Sequence, residues 1–189
     1  MTSLNRIDLD NSISIYENFS DDNDRLINLL SDNSVIWNLT TPTIDPNLNI
    51  KRYRELSKNL YTLKPLGKDN ENIKIEISRM FAPAIGCIED FVVDKTPFNW
   101  YNDIEILKYN KGHHMKEHCD NALNKKIKIS VFYYVNDDYE GGELVFVQKG
   151  ITIKPRKNTL LVFNSSAENT HKVNPITDGS KYVVTTFLL

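Results

Sequence analysis

Three of the four histidines in this 189-residue chain crowd into one short stretch, "GHHMKEHCD", from Gly112 to Asp120. It supports two metal chemistries. Read from His114 it is His-Met-Lys-Glu-His, an H-x-x-E-H pattern, the zinc signature of the inverted zincin proteases. Read from His118 it is His118-Cys119-Asp120, an imidazole and a carboxylate two residues apart. On an extended backbone both side chains point to one side and reach a single ion, while Cys119 points away. Such a pair supplies two ligands of a facial 2-His-1-carboxylate triad, which leaves positions open on Fe(II).

The surrounding residues discriminate between the two. A zincin site needs its histidines on one face of a helix. From Asn110 to Asn124 the chain reads "NKGHHMKEHCDNALN", with Met115, Ala122 and Leu123 as its main apolar residues. That is too polar for a buried active-site helix, so the facial triad is favoured. Its third ligand must come from elsewhere, and the one remaining histidine is His171, which follows the strand-like "NTLLVF" and a short polar loop. Lys181 then opens a run in which Val183, Thr185 and Phe187 share its face. A lysine pointing inward among apolar residues requires an anionic partner. With the hydroxyls of Tyr134 and Thr185 it would form a socket for a carboxylate.

These residues sit on elements whose pattern is two-faced. In "KIKISVFYYV", Ile127, Ile129, Val131, Tyr133 and Val135 share one face, and Ser130, Phe132 and Tyr134 the other. Both faces are largely apolar, so one meets helices and the other lines an interior. "KYVVTTFLL" divides in the same way. With "DIEILKY", "ELVFVQ" and "ITIKP", punctuated by Gly141-Gly142, Lys149-Gly150 and "PITDGS", the second half predicts a sandwich or barrel. The first half predicts helical packing material. "SISIY" (Ser12 to Tyr16) reads as an edge strand. Ser20 reads as an N-cap before a helix with Leu26, Ile27, Leu29 and Leu30 as its apolar face. Asn38 to Asn49 reads as a loop and Lys51 to Leu60 as a second helix. Glu71 to Phe91 reads as a third, with Ile73, Ile77, Met80, Phe81, Ala84, Ile88 and Phe91 at helical spacing and a kink or break at Pro83 and Gly86. A single domain over 1–189 is expected, with 1–100 supporting a core at 101–189.

Bulk properties narrow the class. Lys plus Arg total 23 against 25 for Asp plus Glu, a net charge of −2, with no basic excess of the kind a nucleic-acid surface needs. A local group (Lys108, Lys111, Lys116, Lys125, Lys126, Lys128) is read as a solvated rim balanced by Asp103, Glu105, Glu117 and Asp137. No apolar run reaches the ~20 residues of a membrane span, and the opening "MTSLNRIDLDNS" has no basic start followed by an apolar segment, so no signal peptide is expected in it. Cys87 and Cys119 read as reduced thiols, so a cytoplasmic location is expected.

From about Asp103 onward the chain resembles the catalytic core of the prolyl 4-hydroxylase-like 2-oxoglutarate/Fe(II) dioxygenases. The similarity lies in "YNKGHHMKEHCD", in the strand and double-glycine hairpin "VFYYVNDDYEGGEL", and in "HKVNPITDGSKY". It implies a mainly β fold with flanking α-helices: a double-stranded β-helix (jelly roll) with N-terminal helices packed on its major sheet. It implies that His118, Asp120 and His171 ligate Fe(II). Lys181 would pair with the distal carboxylate of the co-substrate 2-oxoglutarate, aided by Tyr134 and Thr185, with Tyr109 nearby and ascorbate as reductant. The implied reaction hydroxylates a C–H bond and releases succinate and CO2. A protein or peptide side chain such as proline is the expected substrate. The alternatives are a free amino acid, small metabolite or nucleobase, and a catalytically silent jelly-roll binding module. The complete set of four residues argues against the silent module. Two features depart from the family: Met115 replaces a tyrosine, and no R-x-S segment precedes the triad. His113 and His114 are expected to be exposed loop residues. Asn38 to Asn49, Lys64 to Asn72 and Asn121 to Lys126 are the candidate substrate contacts.

Overall fold

The structure is a computed structural model that describes residues 4–20, 23–32, 35, 37–39, 61–63, 71–92 and 104–189. Strands β1 (Asn5–Asp10) and β2 (Ile13–Glu17) form a hairpin, followed by helix α1 (Asn23–Ser31), β3 (Asn38–Leu39), β4 (Tyr61–Leu63) and helix α2 (Glu71–Phe91). Next come β5 (Glu105–Asn110), β6 (Met115–His118), the one-turn helix α3 (Asp120–Leu123), β7 (Ile129–Tyr134), β8 (Glu140–Gly141) and β9 (Leu144–Phe146). The chain ends with β10 (Ile151–Ile153), β11 (Thr159–Asn164), β12 (His171–Val173), β13 (Ile176–Asp178) and β14 (Ser180–Leu188).

Eight strands pair antiparallel in the order β1-β2-β11-β7-β14-β5-β4-β3 to form the major sheet. The minor sheet runs β10-β9-β12-β6, and β13 pairs with β8 beside them. Two apolar clusters result, and strand alternation decides which residue joins which. On β7, Ile129, Val131 and Tyr133 pack with α1 and α2, whereas Phe132 and Tyr134 face the interior between the sheets. On β14, Tyr182, Val184 and Leu188 join the helices, and Val183 joins the interior with Leu144 and Phe146 of the minor sheet. This is a double-stranded β-helix with helices on its major sheet, the architecture expected from the sequence.

The hairpin at Gly141-Gly142 closes one end of the interior. Both residues have positive φ, 75° and 67°, and a Cβ at Gly141 would collide with the Pro175 carbonyl oxygen. A Cβ at Gly142 would strike the Ile176 side chain. Glycine is required here for steric and backbone reasons together.

Two expectations are corrected. "SISIY" is not an edge strand: β2 lies inside the sheet, and the edge is β1, whose "NRIDLD" places polar residues on an open border. The described helix after Ser20 runs from Asn23, with Asp24 in its first turn; residues 21 and 22 lie outside the description, and the Ser20 N–H donates to the Asn158 side chain at 2.8 Å. Helix α2 is not broken: it runs unbroken through Pro83 and Gly86. Burial of Ile73, Ile77, Met80, Ala84, Ile88 and Phe91 along one side holds it, which outweighs the lost proline hydrogen bond. Its Phe81 side chain, the expected helix over Lys51 to Leu60 and most of the Asn38 to Asn49 loop lie outside the description, although Asn38 and Leu39 pair as a strand with β4.

Gly86 is exposed and a Cβ there meets nothing within 4 Å. Gly86→Ala is therefore expected to stabilise the fold by about 0.5–1 kcal/mol, read as a higher urea midpoint at unchanged m-value.

Candidate active site

The two sheets bring sequence-distant donors together through register. His118 ends β6, and its Cα partner across the ladder is His171, the first residue of β12. Cys119 is extended (φ −127°, ψ 132°), and Asp120 then opens α3, so the H-x-D spacing turns both side chains inward. One ligand atom from each of His118, Asp120 and His171 lies within 4.8 Å of the others. The His118 Nε2 stands 3.4 Å from Asp120 Oδ1, and the His171 Nε2 3.9 Å from Oδ2.

Both rings are oriented from behind. Nδ1 of His118 lies 2.8 Å from the Lys116 carbonyl oxygen, and Nδ1 of His171 lies 2.9 Å from that of Asn169. A carbonyl only accepts, so each Nδ1 carries the proton and each Nε2 presents its lone pair to the cluster. Ser130 on β7 donates to Asp120 Oδ2 at 2.5 Å and is itself 2.6 Å from the Ser165 hydroxyl. Phe132, Phe146 and Phe163 wall in the His171 ring at 5.2 to 5.9 Å between centroids.

The electrostatics suit a divalent cation. Burial alone would raise the Asp120 carboxyl, but His171, His118 and the Ser130 hydrogen bond outweigh it and bring the pKa down to about 2. Burial pushes His171 down to about 4, so at neutral pH the imidazole is uncharged. One carboxylate and two imidazoles, with their second nitrogens tied to carbonyls, fit an Fe(II) ligand set.

At the other end of the interior sits Lys181, 1% exposed. Its Nζ donates to the Gly142 carbonyl at 2.7 Å and lies 5.0 to 5.7 Å from the ring centroids of Tyr134, Tyr139 and Tyr109. Among the described residues no carboxylate stands within salt-bridge distance of it. Burial lowers its pKa to about 7, with Glu143 pulling weakly the other way. The Tyr139 hydroxyl is buried and has no hydrogen-bond partner. A buried cation with an unsatisfied hydroxyl beside it fits a carboxylate ligand, the shape of 2-oxoglutarate's distal end.

Tyr109 and Tyr134 lie where the sequence places them, Tyr109 as the cross-strand partner of Lys181. Thr185 lies on the same strand as Lys181. It shares the face of Lys181 but stands four residues along β14, about 13 Å at strand rise, and its hydroxyl donates to the Glu105 carbonyl at 3.4 Å. Lys108 also leaves the rim, since its ammonium lies over Trp37 and Tyr182 on the helix side. His113 and His114 are half-buried rather than exposed, and His113 accepts the Asn110 N–H at 3.1 Å across the β5–β6 turn. Residues Met115 to His118 form a strand, which removes the helix a zincin requires. Tyr139, the Gly142 carbonyl and Asn169 went unread, because loop positions carry no periodic signal. The interior face assigned to Ser130 was the available hint of its role.

Inside a double-stranded β-helix, this donor set with a buried lysine opposite defines a 2-oxoglutarate/Fe(II) oxygenase core. Comparison agrees: residues 104–189 match the 2OG-Fe(II) oxygenase superfamily, and the chain resembles the prolyl hydroxylase-like oxygenases. It is 28% identical over 118 residues to 2-oxoglutarate and iron-dependent oxygenase domain-containing protein 3 of Xenopus tropicalis, covering 60% of this chain and 36% of that protein. It is 40% identical over 60 residues to prolyl 3-hydroxylase 2 of Homo sapiens, 29% of this chain and 8% of that one. The chain thus spans about a third of the first relative and far less of the second. In fold it is similar to a prolyl hydroxylase from Trichoplax adhaerens solved with a hypoxia inducible factor peptide fragment (TM-score 0.66, 20% identity, 95% of this chain and 84% of that one). A viral collagen prolyl hydroxylase from Paramecium bursaria Chlorella virus-1 superimposes with TM-score 0.61 at 19% identity, covering 94% of each chain.

Three outcomes are expected from Lys181. Because its folded pKa is depressed, the lysine loses its proton above about pH 7, and an anion must recruit one to bind. The dissociation constant of 2-oxoglutarate should therefore rise with pH above 7, by up to about tenfold per unit, in calorimetric titrations. The ligand-free fold gains stability over the same rise toward pH 10.5, since the unfolded lysine still holds the proton that the folded one has lost. Lys181→Met should weaken 2-oxoglutarate by about 30-fold or more without lowering the urea midpoint. His114→Ala should leave metal affinity unchanged.

Proposed function

We propose that this protein is an Fe(II)- and 2-oxoglutarate-dependent hydroxylase of a protein or peptide side chain, with proline as the target. The observation that carries the chemistry is the convergence of half-buried His118 with buried Asp120 and His171 in one cluster, with Lys181 at the far end of the same apolar interior. The named prolyl hydroxylases among its relatives and structural neighbours support the choice of substrate.

Bound iron and 2-oxoglutarate would supply dioxygen activation, coupling decarboxylation to succinate and CO2 with hydroxylation of a C–H bond. The chain's own residues do the rest. His118, Asp120 and His171 would hold the metal on one side and leave its other positions open. Lys181, with Tyr134, Tyr109 and Tyr139 around it, would fix the distal carboxylate and so aim the 2-oxo acid end at the metal. The Phe132, Phe146 and Phe163 wall keeps the cluster dry, which limits unproductive oxidation. Ascorbate would serve as the reductant that restores Fe(II).

The test is succinate formation from 2-oxoglutarate by protein reconstituted anaerobically with Fe(II) and then given dioxygen and ascorbate, with and without proline-rich peptides. Turnover should require dioxygen, rise with peptide, and fall by about 100-fold or more in His171→Ala. Hydroxylation of a free amino acid or nucleobase in place of the peptide would redirect the substrate. Failure to bind either Fe(II) or 2-oxoglutarate would make the chain a silent jelly-roll module.

A further inference from the structure

Behind His171 lies a polar cluster that joins the N-terminal hairpin to the metal-binding end. Asn169 closes a 3-10 turn (Ala167–Asn169) and is 1% exposed. Its side-chain amide donates to the Asn164 carbonyl at 2.7 Å and to the Ser12 hydroxyl at 3.1 Å. Ser12, in the β1–β2 turn, donates its own proton to Asp10 at 3.0 Å and accepts from Lys149 at 2.9 Å. Lys149 also pairs with Asp10. The Ser12 carbonyl in turn accepts the Asn164 N–H at 3.0 Å. The set ends at the Asn169 carbonyl that takes the His171 Nδ1–H.

Resting on the metal-site reading above, we infer that Asn169 and Ser12 are positioning residues for His171. The 3-10 turn is short and would not by itself fix the direction of one carbonyl. The buried amide clamps that turn at two points, Asn164 behind it and Ser12 across from it. The carbonyl is thereby held against Nδ1, which fixes the tautomer and aims Nε2 at Asp120. Residues that orient a metal-bound histidine set affinity at a distance from the ion, typically by 10- to 100-fold. Ser12 and Asp10 lie outside residues 104–189, so the oxygenase core is braced by a segment that the family match does not include. The first strands thus take part in metal binding beyond covering the sheet.

The experiment uses the full chain as wild type, Asn169→Ala, Ser12→Ala and Ser12→Thr. Co(II) binding is followed through its visible absorption, 2-oxoglutarate binding to Co(II)-saturated protein by calorimetry, and folding by the thermal midpoint. Asn169→Ala should weaken Co(II) by about tenfold and change the absorption band, with Ser12→Ala intermediate. Ser12→Thr keeps the hydroxyl and should restore wild-type affinity. The 2-oxoglutarate affinity of saturated protein should stay within about twofold, because the Lys181 socket lies at the other end. Wild-type Co(II) affinity and spectrum in folded Asn169→Ala and Ser12→Ala would overturn the inference alone. Parallel losses of Co(II), 2-oxoglutarate and thermal midpoint in every variant would also overturn it, by reducing the cluster to a folding role. A wild-type chain that binds no Co(II) would overturn both this and the oxygenase reading.

Discussion

Side chains alternate across a strand, and β7 and β14 lie side by side at the centre of the major sheet with both faces covered. Every residue on them is committed either to the helix side or to the interior. Val131, Tyr133, Tyr182 and Val184 go one way, and Ser130, Phe132, Tyr134, Lys181 and Val183 the other. This constraint puts Ser130 under Asp120 and Lys181 among three tyrosine rings. A one-residue slip of either strand would exchange the two sets and bury the lysine against the helices.

The interior therefore contains two charged poles in one apolar space. Asp120 is kept ionised by His118, His171 and Ser130, and Lys181 is left with a carbonyl and aromatic faces. Neither pole neutralises the other, since they occupy opposite ends. Unpaired buried charge is unfavourable, and the depressed pKa of Lys181 expresses that cost. A ligand that brings a carboxylate to the lysine while meeting a cation at the triad relieves both. The cost of burying the lysine and its affinity for a carboxylate have the same physical origin.

The N-terminal half gives the sheet its second buried face. Without α1 and α2, the row Ile129, Val131, Tyr133, Leu160, Val162 and Val184 would be exposed to water. Tyr16 and Leu26 anchor these elements with few polar demands, and the Tyr16 hydroxyl is satisfied by the Cys87 carbonyl at 2.8 Å. Sequence identity of only 19 to 20% to solved prolyl hydroxylases accompanies a retained fold, as expected when burial pattern rather than residue identity specifies packing.

The sequence by itself determined much of this protein. Period-two apolarity marked the strands and their faces, period 3.6 set α2 to the residue, and the His118-Cys119-Asp120 spacing identified one side of the triad. An inward lysine announced an anion. These are local signals, carried by neighbours within one element. Only the tertiary structure decided what depends on contact between distant segments. It paired His118 with His171 across β6 and β12 and placed Lys108 on the helix side. It added Tyr139, the Gly142 carbonyl and the Ser12–Asn169 clamp, all on turns where side-chain direction follows no period. The continuity of α2 through Pro83 was likewise a tertiary decision, because burial of one helix face outweighs a local breaker.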